Sequence, residues 1–210
     1  IDVSGVQQKI DWKKVKADGV EFAIIKAGYG NSATQIDSRF IENVKGAAAA
    51  GVHIGAYWFS YATSVDDAKK EATACHEILK PYQDRITYPV FFDYEYDSAR
   101  YSEEMGVKPT AQLVTDMAVA FMEAMKGYGY LTGFYTNLDY IDNKKLDYSR
   151  LKSYDLWLAH YTDGEPKYSC AIQQTSSSGK VDGIAGNVDT DIAFKEYGKK
   201  EETPSRPSQA

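Results

Sequence analysis

The sequence predicts an α/β fold, an irregular TIM-like (β/α) barrel of about eight strands with fewer helices. Apolar, strand-like runs alternate with helix-like stretches, which is typical of a mainly parallel sheet. The last third of the chain adds strand-like runs with little or no helix between them, so we expect the barrel to be irregular there. At 210 residues, 43% of them hydrophobic, the chain is long enough for one barrel domain with its own core.

The first half is expected to contain three strands and three helices before the central strand. Ser64 and Asp37 are residue types that begin helices, and Gly51 and Pro81 are types that end them. The predicted elements are a strand over 1–4, a helix over 12–17, a strand over 20–27, a helix over 37–50, a strand over 53–61 and a helix over 65–79.

The second half is expected to be poorer in helices. Thr110 precedes a long helix that reaches about Met125, with apolar residues at core spacing. Residues 144–151 fit no element clearly. The predicted strands cover 131–135, 156–161, 171–175 and 187–192. The barrel domain is expected over 1–197, followed by a polar, proline-bearing linker or disordered tail over 198–210.

Asp93 and Glu95 stand two residues apart at the end of an apolar run over 88–96. Side chains alternate across a strand, so Phe91, Asp93 and Glu95 are expected to share one face. Proline is tolerated as the first residue of a strand, so the strand is expected to begin at Pro89. Two carboxylates on one face are what glycoside hydrolysis requires, with one acid for the leaving oxygen and one charged group for the cationic transition state.

Asp2 and Asp189 are expected to complete this acidic site. They lie on the first and last predicted strands, which become neighbours when a barrel closes. In such barrels the catalytic residues gather at the C-terminal ends of the strands. Four carboxylates around one mouth repel each other, which raises the pKa of at least one, and a general acid needs a raised pKa.

Composition excludes several other functions. The formal net charge of −6 argues against nucleic-acid binding, and no apolar run is long enough to span a membrane. Cys75 and Cys170 match no metal or redox motif and are expected to be free thiols. The three histidines are scattered, so neither a metal site nor a cofactor is expected.

Eight short stretches stand in a characteristic order along the chain. They are Ile1-Asp2-Val3-Ser4, Phe22 to Gly30, Asp37-x-x-Phe40-x-x-Asn43, Gly55 to Ala62, Phe92-Asp93-Tyr94-Glu95, Gly133 to Asn137, Leu156-Trp157-x-Ala159-x-Tyr161 and Gly186-Asn187-Val188-Asp189. In this order and spacing the chain resembles the glycoside hydrolase family 25 lysozymes, also called Chalaropsis-type N-acetylmuramidases, and the resemblance extends from Ile1 to about Phe194.

The resemblance implies a lysozyme that hydrolyses the β-1,4 bond between N-acetylmuramic acid and N-acetylglucosamine in peptidoglycan. It implies that Glu95 is the proton donor, that Asp93 is its partner, and that Asp2 and Asp189 complete the cleft. The family is usually placed among retaining enzymes, and we expect the substrate's acetamido group to assist; spacing alone does not choose between retention and inversion. Many members have Asn at the position of Asp191.

Further residues are candidates for substrate binding, because aromatic rings stack on sugars and Asp191 shares a strand face with Asp189. The alternative for the aromatic residues is that they only pack the barrel. The candidates are Tyr57, Phe59, Tyr61, Tyr135, Trp157 and Asp191.

Two other functions stay open, a non-catalytic peptidoglycan-binding module and a chitinase-like or glucosaminidase barrel. Chitinase barrels usually carry earlier acids on the central strand, which this chain lacks. The expected partners are peptidoglycan glycan strands, with the protein acting as a monomer. The linker-like tail leads us to expect a wall-binding module beyond residue 210. The expected location is outside the cell or at the cell wall, including action as a phage-encoded lysin.

Overall fold

The computed structural model describes residues 1–162 and 164–198. Within them, eight strands form one closed barrel in which each strand pairs with its sequence neighbours and β8 closes onto β1. The strands are β1 (Asp2–Val3), β2 (Phe22–Tyr29), β3 (His53–Phe59), β4 (Ile86–Asp93), β5 (Thr132–Asn137), β6 (Asp155–Ala159), β7 (Ile172–Gly179) and β8 (Val188–Ala193). The predicted irregular barrel is confirmed.

Seven α-helices accompany the strands in the described part of the chain. They are α1 (Trp12–Ala17), α2 (Phe40–Ala49), α3 (Val65–Leu79), α4 (Tyr96–Glu104), α5 (Ala111–Gly127), α6 (Leu138–Asp142) and α7 (Tyr148–Leu151). The three longest of these helices are α2, α3 and α5, and each lies between two consecutive strands as in a regular (β/α) unit. After β5 the helices shorten to one or two turns.

The sheet is mainly parallel, as predicted, but β8 is antiparallel to both of its neighbours, β7 and β1. Residues 180–187 are the whole connection between β7 and β8, and a parallel pair would need a longer crossover. Because β8 runs in reverse, its first residues lie at the end of the barrel where the parallel strands finish. This reversal places Asp189 at the barrel mouth although it stands early in its strand.

The N-terminal boundaries of α3 and α5 agree with those predicted from the sequence. The Ser64 side chain accepts a hydrogen bond from the Asp67 N–H at the start of α3, and the Thr110 side chain accepts one from the Leu113 N–H at the start of α5. Each bond satisfies a backbone donor that the first helical turn leaves free.

Two boundary predictions are wrong. The second helix begins at Phe40, and Asp37 does not cap it; its carboxylate accepts the N–H groups of Gly5 and Arg39 instead. Strand β4 begins at Ile86, so Pro89 lies inside it. The register of β4 against β3 shifts around Pro89, and this irregularity tolerates a residue without an N–H.

Helix α4 was not predicted, and it changes the setting of Glu95. β4 ends at Asp93, and Glu95 is the residue that begins α4. Its backbone N–H donates to Ser98 Oγ at 3.1 Å. Glu95 is therefore oriented by the start of a helix and not by strand alternation.

Two apolar clusters form the core. The larger one lies between the barrel and the helices. The smaller one fills the barrel interior and includes Phe91 and Trp157, whose ring centroids lie 5.3 Å apart. Asp93 follows Phe91 on the same face of β4, as the alternation of side chains predicts. The aromatic residues of the smaller cluster therefore pack directly beneath Asp93 at the mouth of the barrel.

Three further expectations from the sequence concern the cysteines, membrane-spanning helices and the C-terminal tail. Cys75 and Cys170 are both free thiols. Among the described residues, no helix has the length and apolar character needed to cross a membrane. The expected linker or tail over 198–210 lies outside the described residues except for Gly198.

Candidate active site

A cavity of about 250 Å³ opens at the barrel mouth. Four carboxylates line it, and they are the four that the sequence singles out: Asp2, Asp93, Glu95 and Asp189. The rest of its lining consists of Tyr57, Tyr135, Trp157, Tyr161 and Gln174.

Barrel closure brings the acids together from distant parts of the chain. Asp2 on β1 lies directly opposite Asp189 on β8, as expected for the first and last strands. Asp93 is the last residue of β4, and its carbonyl oxygen accepts the Ser60 N–H at 2.8 Å. This bond ties the end of β4 to the segment that follows β3.

The acids of the cavity hold their protons more tightly than free carboxylic acids. Burial, followed by repulsion from Asp191 and Asp189, raises the pKa of Asp2. Burial and the neighbouring Glu95 raise the pKa of Asp93. Burial raises the pKa of Glu95 as well, together with the charge of Asp97. Such perturbed groups in a cleft are characteristic of acid–base sites.

Lys26 opposes these shifts without making a close ion pair with the acids. Its positive charge lowers the pKa of both Asp93 and Glu95. The Lys26 ammonium lies 4.8 Å from the ring centroid of Phe59 and 5.8 Å from that of Tyr57. Lys26 is half-buried, and a lysine charge over aromatic rings is a favourable arrangement. Lys26 therefore supplies a fixed positive charge beside the two adjacent acids.

One carboxylate oxygen in the cavity has no partner. Asp93 is 4% exposed, and its Oδ1 is buried without a hydrogen bond in the described structure. A buried hydrogen-bond acceptor without a donor costs about 1–3 kcal/mol of folding free energy. Native proteins therefore retain few such groups, and each of them calls for an explanation such as a catalytic role. A substrate N–H group at this position would remove that cost.

Gln174 on β7 is a site residue that the sequence analysis missed. Its amide nitrogen donates to Asp2 Oδ2 at 2.8 Å, and its amide oxygen accepts the hydroxyls of Tyr135 at 2.9 Å and Tyr161 at 3.2 Å. The bond from Gln174 lowers the pKa of Asp2 against the effect of burial. Consecutive glutamines within a strand-like run were the signal in the sequence.

The aromatic candidates divide into two groups. Tyr57, Tyr135 and Trp157 line the acidic cavity. Phe59 lies next to it under Lys26, and Tyr61 lines a separate, neighbouring cavity. The structure therefore does not bring all five aromatic residues into one site.

Asp191 lies behind the site, and its side chain is buried. The indole N–H of Trp157 donates to Asp191 Oδ1 at 2.8 Å. Asp191 thus fixes the ring of Trp157, while Asp189 faces the cavity. Burial raises the pKa of Asp191.

Comparison with known proteins agrees with this arrangement. The family model described as glycosyl hydrolases family 25 matches residues 1–184. The chain belongs to this family. The match spans β1 to β7 and includes Asp2, Asp93 and Glu95, whereas Asp189 lies beyond its end.

Individual relatives of this family 25 chain are moderately similar in sequence. The autolytic lysozyme of Clostridium acetobutylicum is 28% identical over 193 residues, which cover 91% of this chain and 54% of that protein. The chain thus spans about half the length of this relative.

Solved structures show the same fold. The autolysin LytC from Streptococcus pneumoniae superposes with a TM-score of 0.76 at 26% identity, covering 91% of this chain and 45% of LytC. A bacterial lysozyme from Streptomyces coelicolor superposes with a TM-score of 0.75 at 24% identity, covering 93% of this chain and 91% of that protein.

Proposed function

We propose that this chain is a lysozyme, a 1,4-β-N-acetylmuramidase that hydrolyses the bond between N-acetylmuramic acid and N-acetylglucosamine in peptidoglycan. The observation that carries the proposal is the cavity at the barrel mouth, where four carboxylates meet and the pKa values of Asp2, Asp93 and Glu95 are raised. Membership of family 25 and the lysozyme relative support the same activity.

Glu95 acts as the general acid. It lines the cavity, and its raised pKa keeps it protonated nearer to neutral pH than an ordinary glutamic acid. The charge of Glu95 raises the pKa of Asp93, so ionisation of one of the two acids favours the protonated form of the other. Glu95 then protonates the glycosidic oxygen as the bond to the anomeric carbon breaks.

Asp93 positions the acetamido group of the substrate. Its unpaired Oδ1 can accept the acetamido N–H, and a hydrogen bond of that kind favours the charged form of Asp93. The resulting charge raises the pKa of Glu95 further, so substrate binding itself places the proton on Glu95. The acetamido oxygen attacks the anomeric carbon, and Asp93 stabilises the positive charge that develops on the ring so formed.

The second half of the reaction restores the enzyme. Glu95, now ionised, removes a proton from a water molecule, which attacks the anomeric carbon and reopens the acetamido ring. Two displacements at the same carbon retain its configuration. Asp2 and Asp189 remain beside the reacting sugar, and Gln174 fixes the orientation of Asp2.

The proposed partners are peptidoglycan glycan strands, and the proposed site of action is the cell wall. One of the relatives above is named an autolytic lysozyme and another an autolysin, which supports action on the wall. Secretion, a phage origin, a monomeric state and a wall-binding module beyond residue 210 remain predictions from the sequence.

The activity is tested by measuring how fast the wild type, Glu95→Gln and Glu103→Gln clear a suspension of purified peptidoglycan. Glu95→Gln removes the proposed acid, and Glu103→Gln changes an exposed glutamate on the same helix, α4. Loss of a general acid reduces turnover by about 10²–10⁴-fold. We expect that loss for Glu95→Gln only, with both variants still folded under the assay conditions. Near-normal clearance by Glu95→Gln would exclude Glu95 as the acid.

A further inference from the structure

Glu71 is a buried carboxyl group that has no part in the proposed mechanism. It stands in the second turn of α3 and is 1% exposed. Burying a carboxyl group is unfavourable unless hydrogen bonds replace its contacts with water. A buried polar network whose members are all bonded makes its surroundings rigid. What Glu71 holds rigid is therefore shown by the groups to which it is bonded.

Both oxygens of Glu71 are bonded to residues 60–62, the short segment that follows β3. Ser60 Oγ donates to Glu71 Oε2 at 2.6 Å, and the Tyr61 N–H donates to Glu71 Oε1 at 2.8 Å. Ser60 Oγ also accepts the Ala62 N–H at 3.2 Å. Ser60 and Ala62 are buried, so water does not readily replace these bonds. Because β3 ends at Phe59, Glu71 takes over the role of strand pairing for this segment.

Ser60 passes this support on to the end of β4. The Ser60 N–H donates to the carbonyl oxygen of Asp93 at 2.8 Å, and Asp93 is the last residue of β4. Ser60 is thus bonded to Glu71 through its side chain and to Asp93 through its backbone. A shift of the segment after β3 reaches the backbone of Asp93 through a single hydrogen bond.

The Asp93 carboxylate depends on its backbone more than Asp2 does. Asp2 accepts a hydrogen bond from Gln174, whereas within residues 1–162 and 164–198 no hydrogen bond fixes the side chain of Asp93. Its direction in the cavity therefore follows from the position of the main chain that carries it. Displacing a reacting group by about 1 Å can cost roughly 100-fold in rate.

We propose that Glu71 is a positioning residue: through Ser60 it holds the backbone of Asp93, and so keeps the Asp93 carboxylate where it meets the acetamido group of the substrate. The proposal rests on the proposed lysozyme function. Glu71 does not touch the sugar and transfers no proton. Its loss should lower kcat and leave KM nearly unchanged, because the positive charge that Asp93 stabilises develops only in the transition state.

The first test measures kcat and KM on soluble glycan oligomers, with rates expressed per folded protein. Glu71→Ala breaks both bonds and should lower kcat by about ten- to 100-fold. Ser60→Ala breaks only the hydroxyl bond, should lower kcat by roughly three- to tenfold, and serves if Glu71→Ala does not fold. Glu71→Gln offers one acceptor and one donor and should restore wild-type kcat. Glu77→Ala, at an exposed position of the same helix, is the control.

A double-mutant cycle with Asp93→Asn separates positioning from a general loss of structure. If Glu71 acts through Asp93, Glu71→Ala should lower kcat far less in the Asp93→Asn protein than in the wild type. Two independent effects would instead multiply, and that result would overturn the proposal. So would an unchanged kcat in folded Glu71→Ala protein, or in Ser60→Ala if that variant alone folds.

Hydrogen exchange at the amide of residue 60 tests the same link without any substrate. This amide should exchange roughly tenfold faster in Glu71→Ala or Ser60→Ala than in Glu77→Ala, because its bond to Asp93 opens more often. Unchanged exchange would refute the proposal. If the wild type cleaves no oligomer, the lysozyme function fails, and the exchange rates still decide whether Glu71 holds the end of β4.

Discussion

Replacing Glu71 with glutamine is expected to change how the stability of the fold depends on pH. Glu71 is a carboxyl group on α3 that is only 1% exposed. Ser60 Oγ donates to Glu71 Oε2 at 2.6 Å, and the Tyr61 N–H donates to Oε1 at 2.8 Å. Burial raises the pKa of Glu71 to about 8, although both hydrogen bonds favour the charged form.

The size of the effect follows from the two pKa values of Glu71. Its ordinary value is 4.5, so the unfolded chain releases the proton at a lower pH than the folded protein does. The stability contributed by this group is therefore fully present below pH 4.5 and is lost as the pH rises through about 8. Linkage gives a loss of about 3–4 kcal/mol between pH 5 and pH 8. That is a large share of the roughly 5–15 kcal/mol that stabilises a typical domain.

Glutamine removes the titration and keeps the contacts. Its carbonyl oxygen can accept the Tyr61 N–H, and its amide nitrogen can donate to Ser60 Oγ. The assay is urea unfolding followed by tryptophan fluorescence, with wild type and Glu71→Gln measured from pH 5 to pH 8. The free energy of unfolding of the variant should rise relative to the wild type by about 3–4 kcal/mol across this range.

Subtracting the two proteins cancels the other buried acids, such as Asp2 and Asp93, which are common to both. Glu77→Gln is the control, because Glu77 is exposed on the same helix. A difference between wild type and Glu71→Gln that stays constant from pH 5 to pH 8 would refute the reasoning. So would a pH-dependent difference of equal size in the Glu77 variant.

Three further predictions concern single hydrogen bonds. Gln174→Leu should lower kcat/KM on peptidoglycan by about tenfold. It should also move the acid limb of the pH–activity profile to higher pH, because Asp2 loses the hydrogen bond that lowers its pKa. An unchanged profile would show that Gln174 does not act on Asp2. Trp157→Phe leaves Asp191 without its indole donor and should lower the free energy of unfolding by about 1–3 kcal/mol. Urea unfolding measures this change, and an unaltered midpoint would contradict the expectation. Ser64→Ala removes the cap of α3 and should cost about 1 kcal/mol by the same assay with no change in kcat, whereas Ser64→Asp should restore it.

Much of the fold could be predicted because its signals are local. Ser64 and Thr110 begin their helices through side-chain bonds to backbone groups three residues away, so a short stretch of sequence contains the whole cause. The adjacency of Asp2 and Asp189 was predictable for a different reason. Closing a barrel forces its first and last strands together whatever lies between them.

Other features depend on contacts that no local pattern encodes. The short connection over 180–187 requires β8 to run antiparallel to β7, but the pairing of β8 with β1 follows only from closure of the barrel. Pro89 is accepted inside β4 only because the register with β3 shifts there. Gln174 becomes a site residue through Asp2, which lies 172 positions away in the sequence. The sequence places Tyr61 on the same strand as Tyr57, but β3 ends at Phe59 and Tyr61 lines another cavity.

The most direct test of the proposed activity is the identity of the sugar at the newly formed reducing ends. Purified peptidoglycan would be digested, reduced with borohydride, and its soluble fragments analysed by mass spectrometry. The mechanism built on Glu95 predicts reduced N-acetylmuramic acid at the new ends, and none after digestion with Glu95→Gln. Reduced N-acetylglucosamine ends would instead identify a glucosaminidase on the same barrel, and tight wall binding without any release would identify a binding module; either result would contradict the proposed muramidase activity.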